Sequence, residues 1–376
     1  MVMDFEIEKR EFLKGLGLVQ GIAGRKTTLP ILTHVLMEAK KGSVLMTGTD
    51  LEIGIREELT AKVYQEGKTS VSAKKLYEIV KELPDESIHI QKKENQWIRI
   101  QCGKSIFNLS GLDPEEFPAL PTYNEDDFSQ LSISLLSEMI EKTVFAASNE
   151  DSRYHLNGVL FLSIKQGGKE RLRMVATDGH RLSLVDRETE AIRGVEKGVI
   201  VPKKGVLEIK RVVSDKDGGE VKIYFDPTHG FLKIGKSLIV IRLIDGEFPE
   251  YEQVIPKEND KRIKVEKERV YGCLRRVSTM TSERGEGIKL SIKSRCVELS
   301  TFNQDFGDAQ EEVEVDYEGS SFEIGFNSRY LLEALNVMDT PEVVIELKDG
   351  GSPGIIKPLS SSETPEQICI IMPMRI

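Results

Sequence analysis

VSAKKLYEIVKEL (residues 71–83), VPKKGVLEIKRVV (201–213) and FNSRYLLEALNVM (326–338) are three copies of one pattern. Superposed, Leu76, Val206 and Leu331 coincide, 130 and 125 residues apart, and Leu83, Val213 and Met338 coincide at the same offsets. Self-similarity at a long fixed period marks a repeated structural unit. Inside a copy the apolar residues keep helical spacing: Leu76, Ile79, Val80 and Leu83 in the first, Leu331, Ala334, Leu335 and Met338 in the third. Ser72 and Asn327 suit N-caps, and Pro202 suits a first helical turn. Turn residues and a β-branched run follow each copy, as SIHIQ, EVKIYF and EVVIEL.

Working outward, a second helical pattern opens each unit: Phe12, Leu16, Val19; Leu136, Ile140, Val144; and Val270, Leu274, Val277. Strand-like stretches follow (LPILTHVLMEA, LNGVLFLSI, GIKLSI), then a strand pair around Thr49-Asp50 and Thr177-Asp178. Each unit therefore reads as α+β, with two helices packed on mostly antiparallel sheets of about eight strands in all. Pro, Asn, Asp and Lys cluster near Asn124 and Pro256, which divides the chain into units 1–124, 125–256 and 257–376. The length of 376 residues accommodates three such cores.

Composition removes several function classes. No apolar run approaches the roughly 20 residues of a membrane helix, and MVMDFEIEKREF has no secretory core, so a cytoplasmic protein is expected. Cys102, Cys273, Cys296 and Cys369 form no CxxC pair, and the five histidines form no HxH or HExxH, so no metal or other cofactor is expected. GLGLVQG at Gly15 lacks the last glycine of a dinucleotide fingerprint and opens inside a helical pattern. TDGHR could suggest an Asp178–His180 acid–base pair. Yet the corresponding first-unit stretch is TDLEI, and no nucleophile or ligand converges there, so catalysis at this segment is not expected.

The net charge of −10 argues against a protein that coats nucleic acid, yet the charge is unevenly placed. Basic residues recur on the helical stretches: Lys74 and Lys75; Lys203, Lys204, Lys210 and Arg211; Lys267, Arg275 and Arg276. The compensating acid is expected elsewhere, notably in EEVEVDYE from Glu311. For one helix such a face is simply solvated; recurrence in three units points to sequence-independent phosphate contact. Few aromatics interleave with these cations, which disfavours stacking on single strands. Two other readings stay open at this level: a nucleic-acid-processing enzyme with Asp50 and Asp178 on a divalent metal, and a protein scaffold that never meets DNA.

RKTTLPIL, SRYHLNGVLF, VATDGHRLSLV, DGEFPEYEQVIP and the terminal IIMPMRI together resemble the bacterial sliding clamps, the beta subunits of DNA polymerase III, along essentially the whole chain. That resemblance implies a non-catalytic homodimer, closed head to tail into a ring with helices inside and sheets outside, around double-stranded DNA. It implies a hydrophobic groove for a short peptide carried by DNA polymerase subunits, the clamp loader and other partners. The groove would be lined by Leu156, Thr177, Gly179, His180, Arg181, Leu182, Pro249, Val254, Met372, Pro373 and Met374, with Gln253 in place of an arginine often found in the family. Arg25, Arg153 and Tyr154 would join the basic helix residues in facing DNA. The self-interface would bring Lys104, Ile106 and Phe107 of one chain to Met280, Asp308 and Glu311 of the other.

Overall fold

The computed structural model describes residues 3–23, 28–214, 218–281, 286–360 and 366–375. Six α-helices are found among them: α1 (Lys9–Ala23), α2 (Ala73–Glu82), α3 (Ile133–Glu141), α4 (Lys203–Ser214), α5 (Lys267–Ser278) and α6 (Ser328–Asn336). They fall two to each sequence repeat. Strand pairing is antiparallel throughout, consistent with an α+β fold. The chain folds into two compact units. The first takes the chain up to Ile133 with Ile192–Gly194 and Glu208–Leu243; the second takes Ser134–Ala191, Val195–Leu207 and everything from Ile244.

The first unit holds a five-stranded sheet, in order Lys62–Gln65, Asp4–Glu8, Ser87–Lys92, Ile98–Cys102 and Ser105–Leu109, and a nine-stranded one. The larger sheet is continuous because Ile53–Thr60, from the first repeat, pairs with Ser237–Arg242 from the second, Ile55 opposite Ile239. Alternation in His34–Lys40 buries Val35, Met37 and Ala39. Phe12, Leu16 and Val19 of α1 are buried completely, each such side chain contributing roughly 1.5–3 kcal/mol. Helix α1 can approach because Gly48 has no side chain; a Cβ there would lie 2.5 Å from Val19 Cγ1.

The second unit repeats the device. Arg181–Glu188 pairs with Gln367–Ile371, Leu182 opposite Ile370, which makes an eight-stranded sheet. A four-stranded sheet runs Gly307–Glu314, Cys296–Asn303, Gly287–Lys293 and Phe322–Asn327. Leu331, Ala334, Leu335 and Met338 are all buried against this core.

The caps form as read. Ser72 accepts the Lys75 amide at 3.4 Å, and Asn327 accepts those of Arg329 and Tyr330 at 2.9 and 3.3 Å. Two expectations are corrected. Pro202 ends the strand Val199–Pro202 and precedes α4, and α3 stops at Glu141, so Val144 opens a 3-10 turn instead of continuing the helix.

Candidate functional site

In the second compact unit the Thr177–Arg181 turn is built by side-chain capping. Thr177 Oγ1 donates to the Arg181 carbonyl at 2.6 Å, and Asp178 Oδ1 accepts the amides of His180 and Arg181 at 3.0 and 3.1 Å. Gly179, at φ +87°, takes the left-handed position. The first repeat uses the same wiring. Thr49 Oγ1 donates to the Ile53 carbonyl at 2.9 Å, and Asp50 Oδ1 accepts from Glu52 and Ile53 at 3.1 and 2.8 Å. The recurring Thr-Asp is thus a turn device in both places. Among the described residues no three His, Cys, Asp or Glu side chains are grouped to hold a metal.

Beside this turn lies a largely apolar groove of about 130 Å³, lined by Leu156, Thr177, Gly179, Arg181, Leu182, Pro249, Glu250, Tyr251, Val254, Ile370 and Met372. Eight of the eleven residues expected at the groove are brought together there. His180 is exposed alongside, its carbonyl accepting the Met372 amide at 2.9 Å. Met374 donates its amide to Gly325 O at 2.8 Å and, with Arg375, borders a separate cavity of about 920 Å³ on the four-stranded sheet. Pro373 lies between the two and lines neither.

Glu250, Tyr251 and Ile370 were missed. The first two sit within DGEFPEYEQVIP, and Ile370 reaches the groove because its strand pairs with that of Leu182. Gln253 donates to the Glu250 carboxylate. Arg181 is 8% exposed and engaged on every side: Asp178 at 3.1 Å, the Phe145 carbonyl at 2.8 Å, the Glu333 carboxylate, and the Tyr330 ring 4.3 Å away. Its charge holds the groove floor to α6 and is not displayed to a visitor.

The cations expected to face DNA differ in availability. Lys74 and Lys75 stand exposed on α2, with Glu78 at 4.0 and 2.7 Å. Lys204 and Lys210 are half-buried on α4, and Arg275 is exposed on α5. Lys203 donates to Ala147 O and Asn149 Oδ1 at 2.7 and 2.8 Å, and burial, then the charge of Arg181, lowers its pKa. Arg211 bonds Glu208 at 2.7 Å and the Leu18 carbonyl at 2.8 Å; Lys267 bonds Met338 O at 3.1 Å. Arg153 donates to Asp178 O at 3.0 Å, and the exposed Tyr154 donates its hydroxyl to Asp245 O. Arg25 lies outside the described residues.

Glu311 requires a correction. It does not stand apart as compensating acid, because it accepts from Arg276 of α5 at 2.7 and 2.6 Å. Alternation in Gly307–Glu314 turns Glu311 and Val313 inward while Asp308, Gln310, Glu312 and Glu314 face out.

Two edge strands have exposed apolar side chains on them or beside them. Ser105–Leu109 edges the five-stranded sheet beside Lys104, with Ile106 and Phe107 49% and 40% exposed. Gly307–Glu314 edges the four-stranded sheet, where Met280 packs near Gly307 and Phe302 and Phe306 are strongly exposed. Burial raises the pKa of each cysteine thiol, that of Cys369 to about 11, the opposite of an activated nucleophile. Among the described residues no helix is long and apolar enough to cross a membrane.

Comparison with known proteins agrees along the whole chain. The DNA polymerase III beta subunit is matched by its N-terminal domain over residues 3–121, its central domain over 130–250 and its C-terminal domain over 252–375. The chain is 35% identical to the beta sliding clamps of Pseudomonas putida and of Caulobacter vibrioides, covering 100% of each chain in both cases. A solved sliding clamp from Bartonella birtlesii, bound to griselimycin, superposes with a TM-score of 0.94 at 34% identity over 100% of both chains. The solved beta sliding clamp of Caulobacter crescentus gives 0.93 at 34% identity, covering 100% of this chain and 99% of that one.

Proposed function

This chain belongs to the DNA polymerase III beta subunit family, and from that premise we propose that it works as a DNA sliding clamp. It is a non-catalytic processivity factor that encircles duplex DNA without reading sequence and tethers polymerases, the clamp loader and other partners through the groove at Leu182 and Met372. Its three repeats, 1–124, 125–256 and 257–376, supply three clamp domains, and it acts in the cytoplasm.

The observation that carries this reading is how the repeats join. Twice along the chain, strands of neighbouring repeats pair antiparallel to make one continuous sheet. The sheets left over are the five-stranded one, ending at Ser105–Leu109, and the four-stranded one, ending at Gly307–Glu314. Pairing those edges between two chains makes a third kind of continuous sheet and covers Ile106 and Phe107. The interface is head to tail, and with two chains it closes into a ring. Lys104 and Asp308 flank the join, with Met280 adding apolar contact. Lys74, Lys75 and Arg275, exposed cations on the helices, then meet phosphates, while the groove needs only modest affinity because the ring already confines its partner near DNA.

The test is mass and topology. Sedimentation at micromolar concentration should give about twice 42.3 kDa. Loaded protein should stay on closed circles and slide off linear ends. A monomer, or tight sequence-specific binding to a short linear duplex, contradicts the reading.

A further inference from the structure

We infer that the groove selects its partners by charge at the Pro249–Val254 lip, favouring an extended apolar peptide that carries a flanking lysine or arginine. The inference rests on the groove being the partner site and specifies what it takes.

The stretch from Ile244 to Pro256 holds Asp245, Glu247, Glu250 and Glu252 and no lysine or arginine. Of these, Glu250 lines the groove itself. The Gln253 amide donates to its carboxylate, which orients the charge without neutralising it. Glu252 has Arg173 at 3.4 Å, but that guanidinium already bonds both oxygens of Asp186, so the three groups together remain net negative. Arg181, the cation inside the groove, is balanced by Asp178 and Glu333. The cations toward the tail do not offset the lip: Arg375 borders the other cavity, and His180 stands outside the lining.

An apolar interior holds a peptide by its hydrophobic side chains and so fixes where the flanking residues fall. A carboxylate at the rim then discriminates by sign, which sets specificity and encounter rate more than total affinity. The contacts are exposed, so the effect is modest and salt-sensitive.

The experiment uses the full-length protein and fluorescent synthetic peptides sharing one leucine–phenylalanine core, flanked by lysine, glutamine or glutamate, with the flank placed at each end in turn. At low salt the lysine peptide should bind about three- to tenfold more tightly than the glutamate peptide at one of the two ends. The ratio should shrink toward one in half-molar salt, shrink in E250Q, and invert in E250K, with thermal unfolding confirming that both variants are folded. Equal affinities at both ends, or a preference for glutamate, while the glutamine peptide binds, overturn the charge selection and leave the groove standing. Failure of the glutamine peptide to bind at all overturns the groove assignment itself.

Discussion

The guanidinium of Arg173 bonds both carboxylate oxygens of Asp186 across neighbouring strands, at 2.8 and 2.7 Å, and reaches the Tyr251 hydroxyl at 3.3 Å. Asp186 is 3% exposed and Arg173 is half-buried, and the hydrogen bonds that the guanidinium donates to Asp186 raise the arginine's pKa. Tyr251 is a wall of the groove, and this ion pair fixes where that wall stands. Asp186→Ala leaves the half-buried Arg173 guanidinium with the Glu252 carboxylate at 3.4 Å and without its two short bonds, and should destabilise the protein by about 1–3 kcal/mol in urea titration. Tyr251→Phe removes only the hydroxyl contact, about 0.5–1.5 kcal/mol. It should keep the fold while weakening peptide binding several-fold.

The two kinds of lysine should separate on DNA. Lys74 and Lys75 are exposed on α2, whereas Lys203 is tied to Ala147 O and Asn149. Lys74→Ala with Lys75→Ala should flatten the salt dependence of retention on DNA circles, by about 0.9 in log–log slope for each phosphate no longer neutralised. Lys203→Ala should instead lower the unfolding midpoint, since it leaves the Ala147 carbonyl without its donor, at roughly 1–3 kcal/mol. An unchanged midpoint in that variant would mean that Lys203 is not structural.

Self-association should depend on apolar edge residues and little on the ion at its border. Ile106→Asp with Phe107→Asp places charge on an edge that pairing would bury, and sedimentation should show monomer. Lys104→Ala removes one exposed charge, worth about 0–1 kcal/mol, and the dimer should persist.

Much of this architecture was legible because it is local. Helical spacing located α2, α4 and α6, and the Ser72 and Asn327 caps formed as their residue types imply. The recurrence of Thr-Asp was visible as a repeat, though its meaning, a hydroxyl and a carboxylate closing a turn, needed the Asp50 and Asp178 hydrogen bonds. What stayed hidden is non-local. Nothing in the alternation of Ile53–Thr60 names Ser237–Arg242 as its partner, because strand pairing is decided by tertiary context. Glu311 was misplaced for the same reason: its strand has carboxylates on both faces, and only the packing of α5 shows which one meets Arg276. Tyr251 escaped notice because its role depends on Arg173, 78 residues earlier.

That Arg276–Glu311 pair has an acid signature. The arginine's hydrogen bond holds the Glu311 carboxyl below its ordinary range. A folded-state pKa below the unfolded value means the contribution is complete above the unfolded carboxylate pKa, about 4.3, and is lost as pH falls through the folded value. Wild type and Glu311→Gln should therefore differ most in unfolding midpoint at neutral pH and converge in acid. A difference that grows on acidification would reverse the assignment.

The tail offers the sharpest separation of fold from function. The core strand ends at Ile371, and beyond it the chain is anchored by the Met372 amide to His180 O and the Met374 amide to Gly325 O. Met372 is half-buried and lines the groove, whereas Met374 is 38% exposed and does not. Truncation after Ile371 leaves every strand of the eight-stranded sheet intact and touches neither edge proposed for self-association. It removes two backbone hydrogen bonds, each worth about 0.5–1.5 kcal/mol net, so the unfolding midpoint should fall by only a few degrees, roughly. The groove, however, is deprived of the Met372 wall and with it much of the apolar area a peptide could bury, at about 25 cal/mol per Å². The truncated protein should sediment as a dimer and bind leucine–phenylalanine peptides at least about tenfold more weakly, the 1.4 kcal/mol that roughly 55 Å² of apolar burial would supply. Unchanged peptide affinity in a folded dimer would place the partner site elsewhere on the molecule.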